Sequence, residues 1–381
     1  MDTLTLARYE AQGNDFLIAL LTESELLDFD ASLGIRHFTR SEVARAVCDR
    51  HIGIGARPGY VHSKGADGFI LGVRKPADDE RVECVRMHLL NADGSFAETS
   101  GNGLACLALA CFDSGIVPAG LVPFETDAGM QHCTIGADEI GSKDRPASTG
   151  RFIRVAMRKV DHGPEIPPEL EQRIGRTFGG NLRHVGTGDV GNPHLVVALA
   201  GPPIGGDASE LGTRAVELGD CIARLGSAYE AYFADGINVE FIWPHALNPA
   251  QPEQAWSLMM SVWERGAGLT VSCGSGSVVA ATLAYRWEFV RSPNDPPHLA
   301  AEQDEANPPS SYPVDMRTAP FPGANGPGFQ YWVRTVPTPH EDFFPPQLGV
   351  PAERIEADIR LRLDHLPALL DDLAAMTEPK R

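Results

Sequence analysis

The chain has 381 residues, enough for two domains with cores of their own. Hydrophobic residues make up 43% and charged residues 22%, the balance of a globular protein in water. A net charge of −19, from 32 basic and 51 acidic residues, excludes sequence-independent nucleic-acid binding, and no apolar run reaches the ~18 residues of a membrane span. The partner expected is therefore a small molecule, with no nucleic acid and no membrane.

LTLARYEAQ alternates as a strand and ends at Gly13-Asn14, and FLIALL follows as a second strand. Residues 41–51 carry helical spacing at Val43, Ala46 and Val47. GFILGVRK and VECVRMHLLN read as strands, and Asn91-Ala92-Asp93-Gly94-Ser95 is a turn ahead of a glycine-led apolar helix. GSKDRPASTG, 141–150, reads as a hinge or surface loop. A second block repeats the plan: Gly191-Asn192 beside a strand, INVEFIW, then LMMSVWERGAG delivering another glycine-led helix. Asn14 and Asn192 are 178 residues apart; Ser100 and Cys273, at the two helix mouths, are 173 apart. Equal order at similar offset points to duplication of one α/β domain. Domains are expected at 1–140 and 141–340, the second with proline-rich loops over 290–350, and an extension at 341–381. Within that extension, residues 353–376 read as one amphipathic helix with Ile355, Ile359, Leu363, Leu366, Leu370 and Leu373 on a face, kinked at Pro367. That face either packs onto its own domain or forms a homodimer contact. Seven scattered cysteines, at 48, 84, 106, 111, 133, 221 and 273, read as reduced thiols of a cytoplasmic protein, and the opening MDTLTLARYEAQ has no signal pattern.

The helix mouths carry the chemistry. Ser100-Gly101-Asn102-Gly103 runs into LACLALA, and Cys273-Gly274-Ser275-Gly276 into SVVAATLA. The first N–H groups of a helix have no partner within it and attract an anion. Two such mouths facing each other would hold a carboxylate, with Ser100 and Cys273 on opposite sides of the carbon that bears it. That arrangement removes a proton from one face and returns one to the other. No dinucleotide fingerprint, Walker loop, C-x-x-C, H-E-x-x-H or G-x-S-x-G is present.

The ordered set Gln12-Gly13-Asn14-Asp15-Phe16, Arg50-His51-Ile52-Gly53-Ile54-Gly55-Ala56, Asn91 to Ala97, Gly101-Asn102-Gly103, Gly191-Asn192-Pro193-His194, Asn238 in GINVEF, and Glu264-Arg265-Gly266-Ala267-Gly268 through Thr270 to Cys273-Gly274-Ser275-Gly276 resembles diaminopimelate epimerase, from about residue 8 to 285. The resemblance implies an α/β (α+β) fold of two pseudo-symmetric domains. Each would be a curled, mostly antiparallel sheet around a central helix, with the site in the cleft between them. It implies a cofactor-independent isomerase with no metal, converting LL-2,6-diaminopimelate to the meso form for lysine and cell-wall synthesis. The family uses two cysteines as thiolate base and thiol acid; Cys273 matches one, and Ser100 stands in place of the other. A helix N-terminus is expected to lower the cysteine pKa from about 8.5. Gly101, Asn102, Gly103, Gly274, Ser275 and Gly276 would cradle the carboxylate. Asn14, Asn91, Asn192, Asn238 and Arg265 match the set that recognises the unreacted end, Glu264 would bind the reacting amine, and His194 would assist.

Three departures accompany Ser100. RPGYVHSK is inserted between two Gly-Ala turns, Ala105 replaces an arginine, and Leu269 replaces a glutamate. They leave two alternatives open: a racemase or epimerase of another amino acid, and an impaired amino-acid-binding homologue.

Overall fold

Strand alternation in TLTLARYEA buries Leu4 and Leu6 and exposes Thr3 and Thr5, giving β1 (Thr3–Ala11). Gln12 and Gly13 both take positive φ (54° and 81°), the signature of a two-residue hairpin turn, and β2 (Asn14–Thr22) returns antiparallel with Ala11 opposite Asn14. Thr22 with Glu25 and Thr39 with Glu42 form capping boxes that start α1 (Glu23–Ile35) and α2 (Arg40–Cys48). These helices supply the crossover that a parallel pair requires, and β3 (Gly68–Lys75) lies parallel to β2. Strand β4 (Cys84–Asn91) pairs antiparallel to β3, and β5 (Phe96–Ala97) turns back on it. Then comes α3 (Gly101–Asp113), followed by β6 (Gly120–Thr126), β7 (Gly129–Ile135) and β8 (Arg151–Ala156), antiparallel in sequence. Every residue of α3 from Asn102 to Cys111 is buried, and the helix packs against β1, β2, β3, β4 and β7. A helix apolar on all sides is stable only when wrapped.

The computed structural model describes residues 1–55, 64–75, 84–97, 100–136, 151–206, 210–248, 251–266, 268–290, 314–319, 330–334 and 347–377. The expected loop at 141–150 and most of the RPGYVHSK insertion lie outside the described residues. The chain forms two compact units, residues 1–155 with 350–381, and residues 156–349.

The second unit begins with β9 (Asp161–His162), α4 (Pro168–Phe178) and a 3-10 turn, and then repeats the first unit's order. β10 (Leu182–Asp189) and β11 (Pro193–Leu199) form an antiparallel hairpin. Next, α5 (Ala215–Glu230) crosses over to β12 (Asn238–Asn248), parallel to β11. β13 (Gln251–Glu264) pairs antiparallel to β12, and β14 (Gly268–Thr270) turns back on it, as β5 does on β4. A buried helix follows, α6 (Gly274–Arg286), whose residues Gly276 to Tyr285 are all buried. It packs against β10, β11 and β12, and against two strands that come after it, β15 (Val314–Thr318) and β16 (Gln330–Arg334). The fold is thus a mixed α/β arrangement of two pseudo-symmetric units, each a mostly antiparallel sheet with a helix at its centre.

Two readings of the sequence are corrected. Within 290–350, expected as loops, lie β15, β16 and the start of β17 (Gln347–Arg362). The expected single helix over 353–376 is instead the rest of β17 and a shorter α7 (Leu366–Thr377). Ile355, Ile359 and Leu363 are spaced by four, which keeps them on one face of a helix and equally on one face of a strand. Leu361 decides between the two. Ile359, Leu361 and Leu363 are buried at every second position between exposed Arg360 and Arg362, and the segment pairs with β1, Arg362 opposite Thr3 and Ala352 opposite Ala11. Pro367 lies in the first turn of α7, where its missing N–H costs nothing, so it produces no kink. The C-terminal segment thereby completes the first unit's core, with Leu361, Leu363 and Leu366 packed among Leu4, Leu6, Phe29 and Val47.

Leu361→Ala should lower the unfolding free energy by about 2–5 kcal/mol, the range for a buried leucine, while Arg360→Ala should change it by less than about 0.5 kcal/mol. Urea titration of both variants checks the strand; equal effects would contradict it.

Candidate active site

Each central helix is preceded by a residue whose side chain caps its first turn. Ser100 precedes α3 in extended conformation (φ −149°, ψ 126°), and its Oγ accepts the Gly103 N–H at 3.1 Å. Cys273 precedes α6 in nearly the same conformation (φ −133°, ψ 115°), and its Sγ accepts the Gly276 N–H at 3.3 Å. The two mouths are built alike from different atoms. Serine is a strong cap, and sulfur is a weak acceptor seldom used as one. Capping therefore explains Ser100 and does not explain Cys273.

In the first unit Asn102 Nδ2 donates to Asn14 Oδ1 at 2.6 Å, tying the first turn of α3 to the start of β2. Asn14 is itself held by a charge lattice at the next residue. Asp15, fully buried, receives Arg50 Nη2 at 2.6 Å, and Arg8 Nη1 stands 3.9 Å away. Arg50 also reaches Asp67, whose Oδ2 accepts the Asp15 N–H at 3.0 Å. The lattice ties the hairpin turn to the turn before β3. The motif stretches included Asp15 and Arg50 but gave them no role, and Arg8 and Asp67 went unread. The available signal was Arg8 itself, a charge inside an apolar alternation.

The second unit gathers four ionisable groups at the mouth of α6. Glu264, at the end of β13, accepts from Thr270 Oγ1 and is hydrogen-bonded to Cys273. His194 Nδ1 lies 2.7 Å from Glu240 Oε1, both side chains being fully buried. Glu240 presses on the helix mouth: a Cβ added at Gly276 would stand 2.4 Å from its Oε1, so only glycine fits there. Glu240 is the residue that sequence reading missed: alternation in INVEFIW sets it on the face opposite Val239 and Phe241, and in the structure both faces of that strand are buried.

Burial, then the Glu264 and Glu240 carboxylates, push the Cys273 thiol well above its ordinary value. This corrects the expectation that the helix end would lower it. The amide contacts and Ser275 act in the expected direction, and desolvation and two neighbouring anions outweigh them. Burial likewise raises Glu264, against the lowering effect of its bonds to Thr270 and Cys273.

The remaining candidates fall into place by unit. Ser100, Gly101, Asn102, Gly103 and Asn14 are together in the first; Cys273, Gly274, Ser275, Gly276, Glu264 and His194 in the second. Asn91 is exposed and donates from Nδ2 to Ser95 Oγ within its own turn. Asn238 pairs with His194 across β11–β12, and its Oδ1 accepts the Arg265 N–H at 2.8 Å. Arg265 is exposed, with Nη1 on the Asp235 carbonyl at 2.8 Å, and Asn192 sits in the β10–β11 turn. Cys106 is fully buried inside α3, away from the mouth.

No family model matches the chain. A diaminopimelate epimerase of Corynebacterium glutamicum is 32% identical over 289 residues, covering 74% of this chain and 83% of the relative. One from Heliobacterium modesticaldum is 30% identical over 273 residues, covering 70% and 78%. The chain belongs to the diaminopimelate epimerase family. It is accordingly an isomerase of the amino-acid epimerase class. Among solved structures, a phenazine biosynthesis protein of the PhzF family from Bacillus anthracis aligns with a TM-score of 0.54 at 13% identity, covering 95% of this chain and 99% of that one. A PhzF-family protein from Enterococcus faecalis gives 0.51 at 10% identity, covering 94% and 98%. At such identities the likeness concerns the fold, the two-unit α+β plan of this epimerase family member. Among the described residues no helix is long and apolar enough to cross a membrane.

Two outcomes are expected. Arg50→Met strips Asp15 of its closer partner and should cost about 3–5 kcal/mol in urea unfolding; a loss below about 1 kcal/mol would contradict the lattice. Alkylation of Cys273 by iodoacetamide, followed by residue-resolved mass spectrometry, should be slow at pH 7 and accelerate as pH rises beyond the ordinary thiol range. Glu264→Gln should speed it at pH 7, and an unchanged rate would show that the carboxylate does not act on the sulfur.

Proposed function

We propose that the chain inverts the α-carbon of LL-2,6-diaminopimelate to the meso form by two-base proton transfer, without a cofactor. The observation that carries the reading is the matched pair of helix mouths, Ser100 on Gly103 and Cys273 on Gly276, within this family's motifs. The substrate carboxylate is received by the first-turn N–H groups of Gly101, Asn102, Gly274 and Ser275, beside the Gly103 and Gly276 N–H groups that Ser100 and Cys273 cap. Charge that builds there as the α-proton leaves is stabilised by the helix ends.

Cys273 is a thiol in the resting protein, so binding has to activate it. The substrate ammonium, seated beside Glu264, supplies a positive charge next to the sulfur and offsets the carboxylates that hold the proton on. The thiol proton passes to solvent, and the thiolate then removes the α-proton from one face. Ser100 donates its hydroxyl proton to the other face, and solvent restores it. In the reverse direction the roles exchange. An alkoxide is a costlier product than a thiolate, so the serine half sets the rate. Asn14, Asn91, Asn192, Asn238 and Arg265 hold the distal amino-acid end, Arg265 and Asn91 after exchanging their bonds to Asp235 and Ser95.

Leu269 favours a second reading, a racemase or epimerase of another amino acid. It packs with the apolar cluster of the second unit where the family carries a glutamate.

The assay is cofactor-free LL-diaminopimelate in D2O with α-deuterium read by mass spectrometry. Wild type should place deuterium at the α-carbon, Cys273→Ala should abolish it, and Ser100→Cys should raise the rate at least several-fold. Normal exchange in Cys273→Ala removes the sulfur from the mechanism. An unchanged or slower Ser100→Cys shows a site built round a hydroxyl. Turnover of another amino acid in place of diaminopimelate selects the second reading.

A further inference from the structure

Beneath the mouth of α6 lies a buried pair whose second pair of atoms has no partner. His194 and Glu240 are both fully buried, on neighbouring parallel strands β11 and β12, and share one contact of 2.7 Å between Nδ1 and Oε1. At that separation one of the two atoms carries a proton. The other ring nitrogen, His194 Nε2, and the other carboxylate oxygen, Glu240 Oε2, have no hydrogen-bond partner among the described residues. A buried polar atom left so costs about 1–3 kcal/mol, and such exceptions ask for a reason.

The position of Glu240 bears on where the shared proton sits. Its Oε1 lies against the first turn of α6, so close that a methyl group at Gly276 would be 2.4 Å away. The positive end of that helix favours a carboxylate over a carboxylic acid. An anionic Glu240 accepts, so His194 Nδ1 is the donor. A neutral imidazole with its hydrogen on Nδ1 has a lone pair and no hydrogen on Nε2.

We propose that Glu240 is a positioning residue, which fixes His194 in the Nδ1–H tautomer and so presents its bare Nε2 lone pair as the seat for an N–H of the substrate ammonium. The assignment rests on the epimerase reading above and gives His194 a specific job within it. Glu264 is an electrostatic neighbour of the ring. The ammonium at the reacting centre would thus meet a carboxylate from β13 and a nitrogen lone pair from β11. A carboxylate could not use this seat, since a lone pair repels it. The anion is left to the helix N–H groups and the cation to Nε2 and Glu264, which sets the orientation of an α-amino acid at the sulfur.

The test uses the full chain labelled with 15N-histidine. Two-bond 1H–15N spectra report which ring nitrogen carries hydrogen, and His194→Gln identifies the signal by its loss. His194 is expected with hydrogen on Nδ1 and none on Nε2 in the substrate-free protein, and the Nε2 resonance is expected to move when LL-diaminopimelate is added. Glu240→Gln should lower kcat/KM roughly tenfold, mainly through KM, and should add no loss in a His194→Gln background, because Glu240 acts through the ring. Hydrogen on Nε2 in the resting protein overturns the proposal. Additive losses in the double variant, or an unmoved Nε2 in a wild type that exchanges its substrate, overturn it as well. The first readout needs no substrate, so it is separate from the diaminopimelate reading, whose own failure is a wild type that exchanges nothing.

Discussion

A helix that is apolar on every side can be stable only with sheet around it, and its first turn still presents N–H groups that nothing inside the helix can satisfy. That constraint shapes both units. Ten consecutive residues of α3 and ten of α6 are buried. In each unit the hairpin, the parallel crossover and the returning strand form the surrounding sheet. At the N-terminal mouth of each helix one side chain takes one N–H, Ser100 that of Gly103 and Cys273 that of Gly276. Fold and site thus have one origin. Caps of this kind contribute about 1 kcal/mol each when made by serine. The weaker sulfur cap at Cys273 is a choice that helix stability does not account for.

The surroundings of the two mouths differ in kind. Near Ser100 the polar support is a paired-charge lattice, Arg8, Asp15, Arg50 and Asp67, which fixes the backbone beside Asn14. Its charges are matched and hold geometry. Near Cys273 the groups are Glu264, Glu240 and His194, an excess of acid around a buried thiol. That imbalance holds the proton on sulfur until a positive charge arrives. In the mechanism proposed above, the substrate's own ammonium is the trigger, and a resting thiol is protected from alkylation and oxidation.

Much of this was legible in the chain. The two helix mouths, the Gly-Asn turns and the similar offsets between them gave the duplication, and the hairpin, crossover and buried helix appear in that order in both units. The tail was misread because leucines and isoleucines four apart satisfy both periods, and only pairing with β1 distinguishes them. The strands within 290–350 sit among proline-rich segments that mask their alternation. The direction of the Cys273 shift could not be read from the motif, since it depends first on burial, and then on Glu264 and on Glu240, the last 33 residues away in sequence. Asn91 shows the opposite limit: a motif residue whose side chain is committed to its own turn.

The account's central claim is that one hydroxyl and one sulfur serve the same carbon. A structure of the chain with LL-diaminopimelate bound tests it directly. Ser100 Oγ and Cys273 Sγ should each stand about 3–3.5 Å from one α-carbon, on opposite faces of it, with the carboxylate on the helix N–H groups. A bound substrate whose α-carbon is within reach of only one of the two atoms would contradict the account.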